Sequence, residues 1–401
     1  MDPLTKLLHT QPFGFLYLLY RRILVVLKIP FWTALYFAGI NKPRPYMLHV
    51  MTQLSFPHLL FNVQTRLQKR VKPATGHTKE VIAKDCLDAR FIWVDPVPPN
   101  LIVGEVERLA RACGAQSVRI PAYGFGKWSL NEISHEMVKR IERNLQAGTA
   151  HPEDPTANIP RGYLTYGISR VLSVDYRLSA TNPYPVVASF PDSSSGCTGR
   201  GTSTSHVRSD SSPRMSSSVE IVLVGNFSPC VGKVLTGLAE LGLGIPGGLI
   251  LISPWVDPTG TYTGTLTDNS PAVLNAKSDY IKLPDAKNRS NARYFYSLRA
   301  LIGPMSVKDA GHSPYISPAS LRLAENGLFS DFPPSYIISG DAEVLVEQIR
   351  LLHSRMKGDM PTGAVVYREV PDAVHDFVAF TVWEPERSEV LREIMNWVKA
   401  L

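Results

Sequence analysis

The sequence has few cysteines, and their arrangement excludes both a crosslinked scaffold and a zinc site. Its 401 residues include four, at positions 86, 113, 197 and 230, too few and too scattered for a disulfide framework. No pair forms a C-x-x-C motif, and no group of Cys and His has the spacing of zinc ligands. Nothing in the sequence implies a metal or a cofactor, and the low cysteine content favours a reducing, intracellular compartment.

Acidic residues are scarce near the beginning of the chain. Residues 1–90 contain 13 Lys and Arg but only 4 Asp and Glu, whereas the whole chain has 42 and 35, for a net charge of +7. The excess of nine positive charges in this segment leaves the remaining 311 residues with a small negative charge. Aromatic and basic residues are not interleaved as on a single-strand-binding surface, so we expect no nucleic acid partner.

An uninterrupted apolar run of membrane-spanning length is also missing. The most apolar stretch, 11–40, contains Arg21, Arg22, Lys28 and Pro30. A span needs roughly 20 apolar residues, and each central arginine costs about 2.5–3.5 kcal/mol. No A-x-A signal-peptide cleavage site follows the stretch. The mixture of aromatic and basic residues favours a helix lying in a membrane interface, while a cap over an active site and a true span remain alternatives.

These observations predict two regions in the chain. Residues 1–90 are expected to form a basic, apolar N-terminal cap or membrane-surface segment, and residues 91–401 are expected to form one larger α/β domain. We expect the protein inside the cell, either in the cytoplasm or at a membrane such as the endoplasmic reticulum or a lipid droplet. Large apolar residues are nearly absent from 191–218, which contains 11 Ser and 3 Thr. Such a segment gains little from burial, so a disordered surface insertion is predicted.

The rest of the chain alternates short apolar runs with amphipathic stretches. The stretches 343–358 and 385–401 have apolar residues at helical spacing, as has 99–114. This alternation predicts an α/β fold with a mostly parallel sheet and helices on both faces. The expected strands are rich in β-branched residues and lie at 117–123, 171–178, 220–225, 248–253, 335–340 and 364–370.

Polar residues that suit nucleophilic catalysis follow three of the expected strands. Ser228 follows the run at 220–225, Asp341 and Glu343 follow 335–340, and His375 follows 364–370. A hydroxyl, a carboxylate and a histidine in this order match the chain order of an α/β-hydrolase triad. The histidine takes the serine proton, and the carboxylate orients the imidazole. Alternatively, the acidic residues cap the following helix, and His375 is a structural histidine.

Five further segments of the chain have a recognisable pattern. They are VLSVDYRLSATNPYP (171–185), GGLILISPWVDPT (247–259), SPYISPAS (313–320), IISGDAEVLVEQIRLLHSRM (337–356) and PDAVHDFVAF (371–380). They resemble the fungal branch of the hormone-sensitive-lipase-like α/β hydrolases, which are serine esterases and lipases, and the resemblance covers roughly 95–401. It implies that His375 is the catalytic histidine of an H-x-F motif, that Glu343 is the acid, with Asp341 as the second choice, and that the substrate is a small-molecule or lipid ester.

Two motifs depart from the family pattern. The nucleophile turn G-D-S-A-G-G is replaced by G-N-F-S-P-C (225–230), in which Phe227 stands in strict register with the serine and Ser228 does so after one inserted residue. Pro229 has no N–H, so a Ser228 nucleophile would lack an oxyanion donor worth about 10²–10³ in rate. No His-Gly-Gly sequence is present either. A second hypothesis is therefore an inactive hydrolase-fold protein that is attached to membranes and binds a ligand or partner.

Overall fold

A computed structural model of the full chain places the sheet and the carboxyl-terminal half of the molecule. Ser228, most of 1–90, most of 191–218 and all of 127–154 lie outside the described residues. The described ranges are 88–94, 120–126, 155–168, 170–174, 206–208, 221–224, 247–276, 305–323, 327–381 and 383–401, with isolated positions elsewhere.

Eight described strands form one sheet in which each strand pairs with its neighbours in the sequence. The first five strands pair antiparallel, and the last four are joined by parallel pairing. The strands are β1 (Ala89–Val94), β2 (Ile120–Gly126), β3 (Arg170–Val174), β4 (His206–Arg208), β5 (Ile221–Val224), β6 (Gly248–Ile252), β7 (Ser335–Gly340) and β8 (Val365–Val370).

The predicted parallel pairing is thus confirmed for the three pairings that join β5 to β8, whereas the four pairings that join β1 to β5 are antiparallel. An apolar run predicts that a strand exists, but its direction depends on where the chain re-enters the sheet. Strand β1 was not predicted at all. Within the serine-rich segment 191–218, the structure describes only His206–Arg208, which pair with β3 and β5, so the predicted disordered insertion stays a prediction. Sheet pairing satisfies backbone groups whatever the surrounding composition.

Helices cover both faces of the parallel half of the sheet. Ile250 and Ile252 belong to one apolar cluster, whereas Leu249 and Leu251 belong to another on the opposite face, as the alternation of a strand requires. Five α-helices have both ends within the described residues, of which α5 packs in the first cluster and α4 in the second. They are α1 (Asn158–Thr165), α2 (Pro271–Asn275), α3 (Val307–Gly311), α4 (Val346–Asp359) and α5 (Glu386–Ala400).

An exposed apolar stripe runs along the N-terminal segment. Its described members are helical, lie mostly three or four residues apart, and expose between 44% and 68% of their surface: Phe13, Leu16, Leu19, Tyr20, Ile23 and Leu27. Such spacing places residues on one side of a helix. Within the described part of the chain, no helix combines the length and hydropathy that crossing a membrane requires.

Candidate active site

The turn after β7 carries a fully buried carboxylate. Strand β7 ends at Gly340, and helix α4 begins only at Val346, so 341–345 form a turn at the carboxyl end of the strand. The Gly340 N–H donates to Oε1 of Glu343 over 3.0 Å. The N-cap residue of helix α4 is Leu345, which makes no side-chain capping bond, so neither Asp341 nor Glu343 is the N-cap of this helix.

The loop after β8 brings a histidine to the same place. Strands β7 and β8 are parallel neighbours with Gly340 opposite Val370, so their carboxyl ends meet at one edge of the sheet. The side chain of His375 is 2% exposed, and its Nδ1 lies 3.0 Å from Oε2 of Glu343. This is the contact by which a buried acid selects the imidazole tautomer and orients the ring.

A serine that the sequence analysis did not single out also touches this pair. Ser253 directly follows β6, is completely buried and has a left-handed φ of 42°. Its hydroxyl donates to Oε1 of Glu343 over 3.4 Å and accepts from the Asp376 N–H over 3.0 Å. The sequence did contain a signal for Ser253, because it is a polar residue directly after a buried central strand. The same position after a strand identified Glu343 and His375 as candidates.

A second carboxylate lies on the other nitrogen of the histidine. Asp376, with a left-handed φ of 52°, places Oδ2 3.3 Å from Nε2 of His375. Its side chain keeps 18% of its surface exposed, so it is the most accessible member of the cluster. The imidazole therefore lies between Glu343 on Nδ1 and Asp376 on Nε2.

Burial and these two carboxylates shift the protonation of the pair. The pKa of Glu343 is raised to about 7, chiefly by burial and with smaller contributions from the negative charges of Asp279 and Asp376, against the lowering effect of His375. Burial alone would lower the pKa of His375, but Asp376 and then Glu343 outweigh it and hold that pKa well above its ordinary value. The cluster consequently retains a proton that a solvated histidine would lose near neutral pH.

The other candidate acid, Asp341, is placed against the backbone of the neighbouring loop. Its Oδ1 accepts the Asp372 N–H over 2.7 Å, and its own N–H donates to the Val370 carbonyl over 3.0 Å. The turn is further fixed by Asn275, whose amide donates to the carbonyls of Asp341 and Glu343 over 2.7 and 3.0 Å. Of the two predicted acids, Glu343 is the one that hydrogen-bonds His375.

The remaining predicted features lie beyond the described residues. Ser228 and its turn follow β5, the parallel neighbour of β6, and the structure describes β5 only to Val224. In the described part of the chain, no group of three or more His, Cys, Asp or Glu side chains is arranged to hold a metal ion. The described chemistry is therefore that of an acid–histidine pair with a serine and a second carboxylate in contact.

Comparison with known proteins gives structural matches only. No family model and no curated protein matches the chain. The fold matches an esterase of Pyrobaculum calidifontis at a TM-score of 0.52 and 15% identity, over 89% of this chain and 99% of that one. A hormone-sensitive lipase from a metagenome library gives 0.49 and 16%, over 88% and 96%. Carboxyl esterase 2 of the fungus Tuber melanosporum gives 0.48 and 12%, over 82% and 88%.

The match to the Pyrobaculum esterase establishes the fold of this chain. Together with the parallel strands β5 to β8 and their flanking helices, it confirms the predicted α/β-hydrolase fold. At 15% identity this match supports the fold of the chain and not its activity. Membership of a fungal branch, the N-terminal cap and the roles of individual residues stay predictions.

Proposed function

We propose that this protein is a carboxylic ester hydrolase that works through an acyl-enzyme intermediate. The observation that carries the proposal is the buried Glu343–His375 pair at the carboxyl ends of adjacent parallel strands, in a fold shared with an esterase. Such a pair can take a proton from a hydroxyl and return it to a leaving alcohol. The expected sequence order also supports it, since a candidate nucleophile, Ser228, follows the strand before β6.

In the proposed reaction His375 moves one proton in each direction. Ser228 Oγ attacks the ester carbonyl while its proton passes to Nε2, and the C–O bond to the alcohol breaks as that proton is transferred to the leaving oxygen. Water then attacks the acyl carbon and gives one proton to Nε2. The bond between that carbon and Ser228 Oγ breaks as the proton passes to Oγ, which releases the carboxylic acid. Glu343 holds Nδ1 and stabilises the imidazolium in both steps. The substrate proposed is an apolar or medium-chain acyl ester, either a lipid ester or an acetylated secondary metabolite.

Hydrolysis of p-nitrophenyl acetate and butyrate tests this function, together with covalent labelling by a fluorophosphonate probe. We expect labelling on Ser228, loss of labelling and turnover in Ser228→Ala, and loss of turnover in His375→Asn. Removing a nucleophile of this kind costs on the order of 10⁶ in turnover, so the two forms are easily separated. Purified folded protein that neither hydrolyses these esters nor reacts with the probe would refute the proposal.

A second candidate function is that of an inactive hydrolase-fold protein that binds a ligand or partner. The contact between Asp376 and Nε2 of His375 favours it, because Nε2 is the atom that must accept the nucleophile proton. The rewritten turn G-N-F-S-P-C points the same way. In this case the fluorophosphonate experiment shows no labelling, and Ser228→Ala leaves every measured property unchanged.

We also propose that the N-terminal segment binds a membrane surface. The exposed apolar stripe supplies a face that suits the acyl boundary. Arg21 and Arg22 stand between its members in the sequence, and Lys28 directly follows the last of them, Leu27. Apolar burial and attraction of cations to anionic lipids act together in such helices. The proposed location is intracellular, at a membrane such as the endoplasmic reticulum or a lipid droplet, with the cytoplasm as the alternative.

Flotation with liposomes tests this attachment. The full chain is expected to float with vesicles containing phosphatidylserine, to do so less at high salt, and to lose binding in Leu27→Asp. Leu321→Asp is the matched control, because Leu321 is a similarly exposed leucine outside the stripe. Equal flotation of the parent and Leu27→Asp would reject attachment through this face, and a fluorescent fusion of both forms would report the location in cells.

A further inference from the structure

Among the residues that the structure describes, three non-glycine residues with left-handed backbone lie at the carboxyl edge of the parallel strands. Ser253 follows β6, and Asp372 and Asp376 lie in the loop after β8, with φ values of 42°, 57° and 52°. Left-handed backbone is costly for residues with a Cβ, and it persists where the surrounding contacts enforce it, often at functional sites. Of these three, Ser253 is the one that is completely buried.

The contacts of Ser253 join three strand ends. Its N–H donates to the Ile338 carbonyl in β7 over 2.8 Å, which fixes the turn after β6 against the next strand. Its hydroxyl then donates to Glu343 and accepts from the backbone of Asp376. The left-handed turn aims the side chain at the pair instead of continuing the strand, so one hydroxyl links the acid turn to the histidine loop.

We propose that Ser253 is a positioning residue for the Glu343–His375 pair: its hydroxyl orients the carboxylate and fixes the loop that carries the imidazole. This inference rests on the proposed hydrolase function for its kinetic consequences, but not for its structural ones. Ser253 acts through Glu343 and Asp376 and is not assigned a contact with substrate.

The physical effect of the hydroxyl has a definite sign. Its hydrogen bond favours the charged form of Glu343, whose pKa burial raises to about 7. Without the bond Glu343 is less ionised at neutral pH, and the neighbouring imidazolium loses part of its stabilisation. The Asp376 backbone also loses an acceptor, which loosens the second carboxylate beside Nε2. Both changes lower the pKa of His375. The charged and titratable groups around this cluster are Glu343, Asp376, Asp279 and Tyr367.

The test is a titration of His375 by NMR in the full-length protein with labelled histidine, its signal assigned by its loss in His375→Asn. Ser253→Ala removes the hydroxyl, and Ser253→Gly removes it while accepting the left-handed backbone without strain, so a folded variant is expected even if the alanine form unfolds. In both, the pKa of His375 should fall by about one unit. Ser335→Ala is the control, because the buried Ser335 hydroxyl donates to the Pro333 carbonyl at the end of β7 that lies away from the Glu343–His375 pair.

Hydrolysis provides the second readout. In Ser253→Ala and Ser253→Gly, kcat should fall about tenfold with KM within about twofold, because orientation of the base is weakened and substrate contacts are not. An unchanged His375 pKa in the folded variants would overturn the inference, as would fluorophosphonate labelling of Ser253 itself. If no form hydrolyses esters, the proposed function fails while the NMR titration still decides the role of Ser253.

Discussion

At the scale of single residues, the imidazole of His375 is held by carboxylates on both nitrogens. A general base must be free of its proton at the working pH, yet Asp376 and Glu343 together hold the pKa of His375 well above its ordinary value despite burial. Asp376 is partly exposed, so a substrate or a rotation of its side chain can remove it from Nε2. The resting arrangement therefore favours the protonated histidine, and hydrolysis by this chain is expected to be faster at alkaline pH.

The substitution Asp376→Asn tests this interpretation. Removing the charge beside Nε2 should lower the pKa of His375 by about one unit and shift the acidic limb of the pH–kcat/KM profile to lower pH. Histidine NMR measures the first and ester hydrolysis the second. Asparagine accepts a left-handed backbone as aspartate does.

The matched control for this prediction is Asp372→Asn. Asp372 is the other left-handed aspartate of the same loop, and it lies three residues before the histidine. We expect the His375 titration of this variant to overlay that of the parent. An Asp376→Asn protein whose titration also overlays the parent would show that Asp376 does not control the histidine.

At the scale of elements, the turns after β7 and β8 are held in backbone contact beyond the strands. The Asp341 N–H donates to the Val370 carbonyl, and the Ala342 N–H donates to the Ala373 carbonyl, both over 3.0 Å. A side chain at Gly340 would overlap the Ala373 carbonyl oxygen. This close approach is what brings the acid and the histidine within hydrogen-bonding distance.

Gly340→Ala should therefore separate the two turns. We expect a loss of about 3 kcal/mol in the free energy of unfolding, as for an overpacked core, and loss of the perturbed His375 titration. Gly358→Ala is the control, because Gly358 lies in helix α4 with open space around it. There alanine should stabilise the protein by about 0.5–1 kcal/mol. Urea unfolding measures both, and equal stability of the Gly340 variant and the parent would contradict the argument.

The same elements show what the sequence could predict. Strand β7 begins and ends where its apolar run does, and the residues 335–340 are buried throughout because helices cover both faces. The acid and histidine followed from their positions after such runs. Helix α4 begins at Val346, three residues later than its periodicity indicated, because the acid turn occupies the intervening residues.

The rest of the site depends on contacts that residue patterns do not encode. The antiparallel pairing of β1 to β5 is decided by chain re-entry, since a strand-forming run has no intrinsic partner. Ser253 contacts Glu343 only because its backbone turns left-handed after β6, which its sequence neighbourhood does not require. The choice of Glu343 over Asp341 as the hydrogen-bond partner of His375 likewise follows from the turn geometry.

At the scale of the whole molecule, the buried cluster should make stability depend on pH. Burial raises the pKa of Glu343 from 4.5 to about 7, and that of His375 is raised as well. Between about pH 4.5 and pH 7 the native state therefore binds more protons than the unfolded state, so the free energy of unfolding falls as pH rises. The contribution of Glu343 is present below its unfolded pKa and is lost by about pH 7.

Glu343→Gln removes this titration, so the decline in unfolding free energy between about pH 4.5 and 7 should become shallower by on the order of 3 kcal/mol. Glu369→Gln provides the control of opposite sign. The Arg350 hydrogen bond lowers the pKa of Glu369, so the stability that Glu369 contributes is lost only as pH falls below the usual pKa of a glutamate. Glu369→Gln should therefore leave the pH dependence of the unfolding free energy between pH 5 and 7 unchanged. Urea unfolding across this range measures both, and parallel pH profiles for Glu343→Gln and the parent would show that the Glu343 carboxyl does not titrate with a raised pKa in the folded protein.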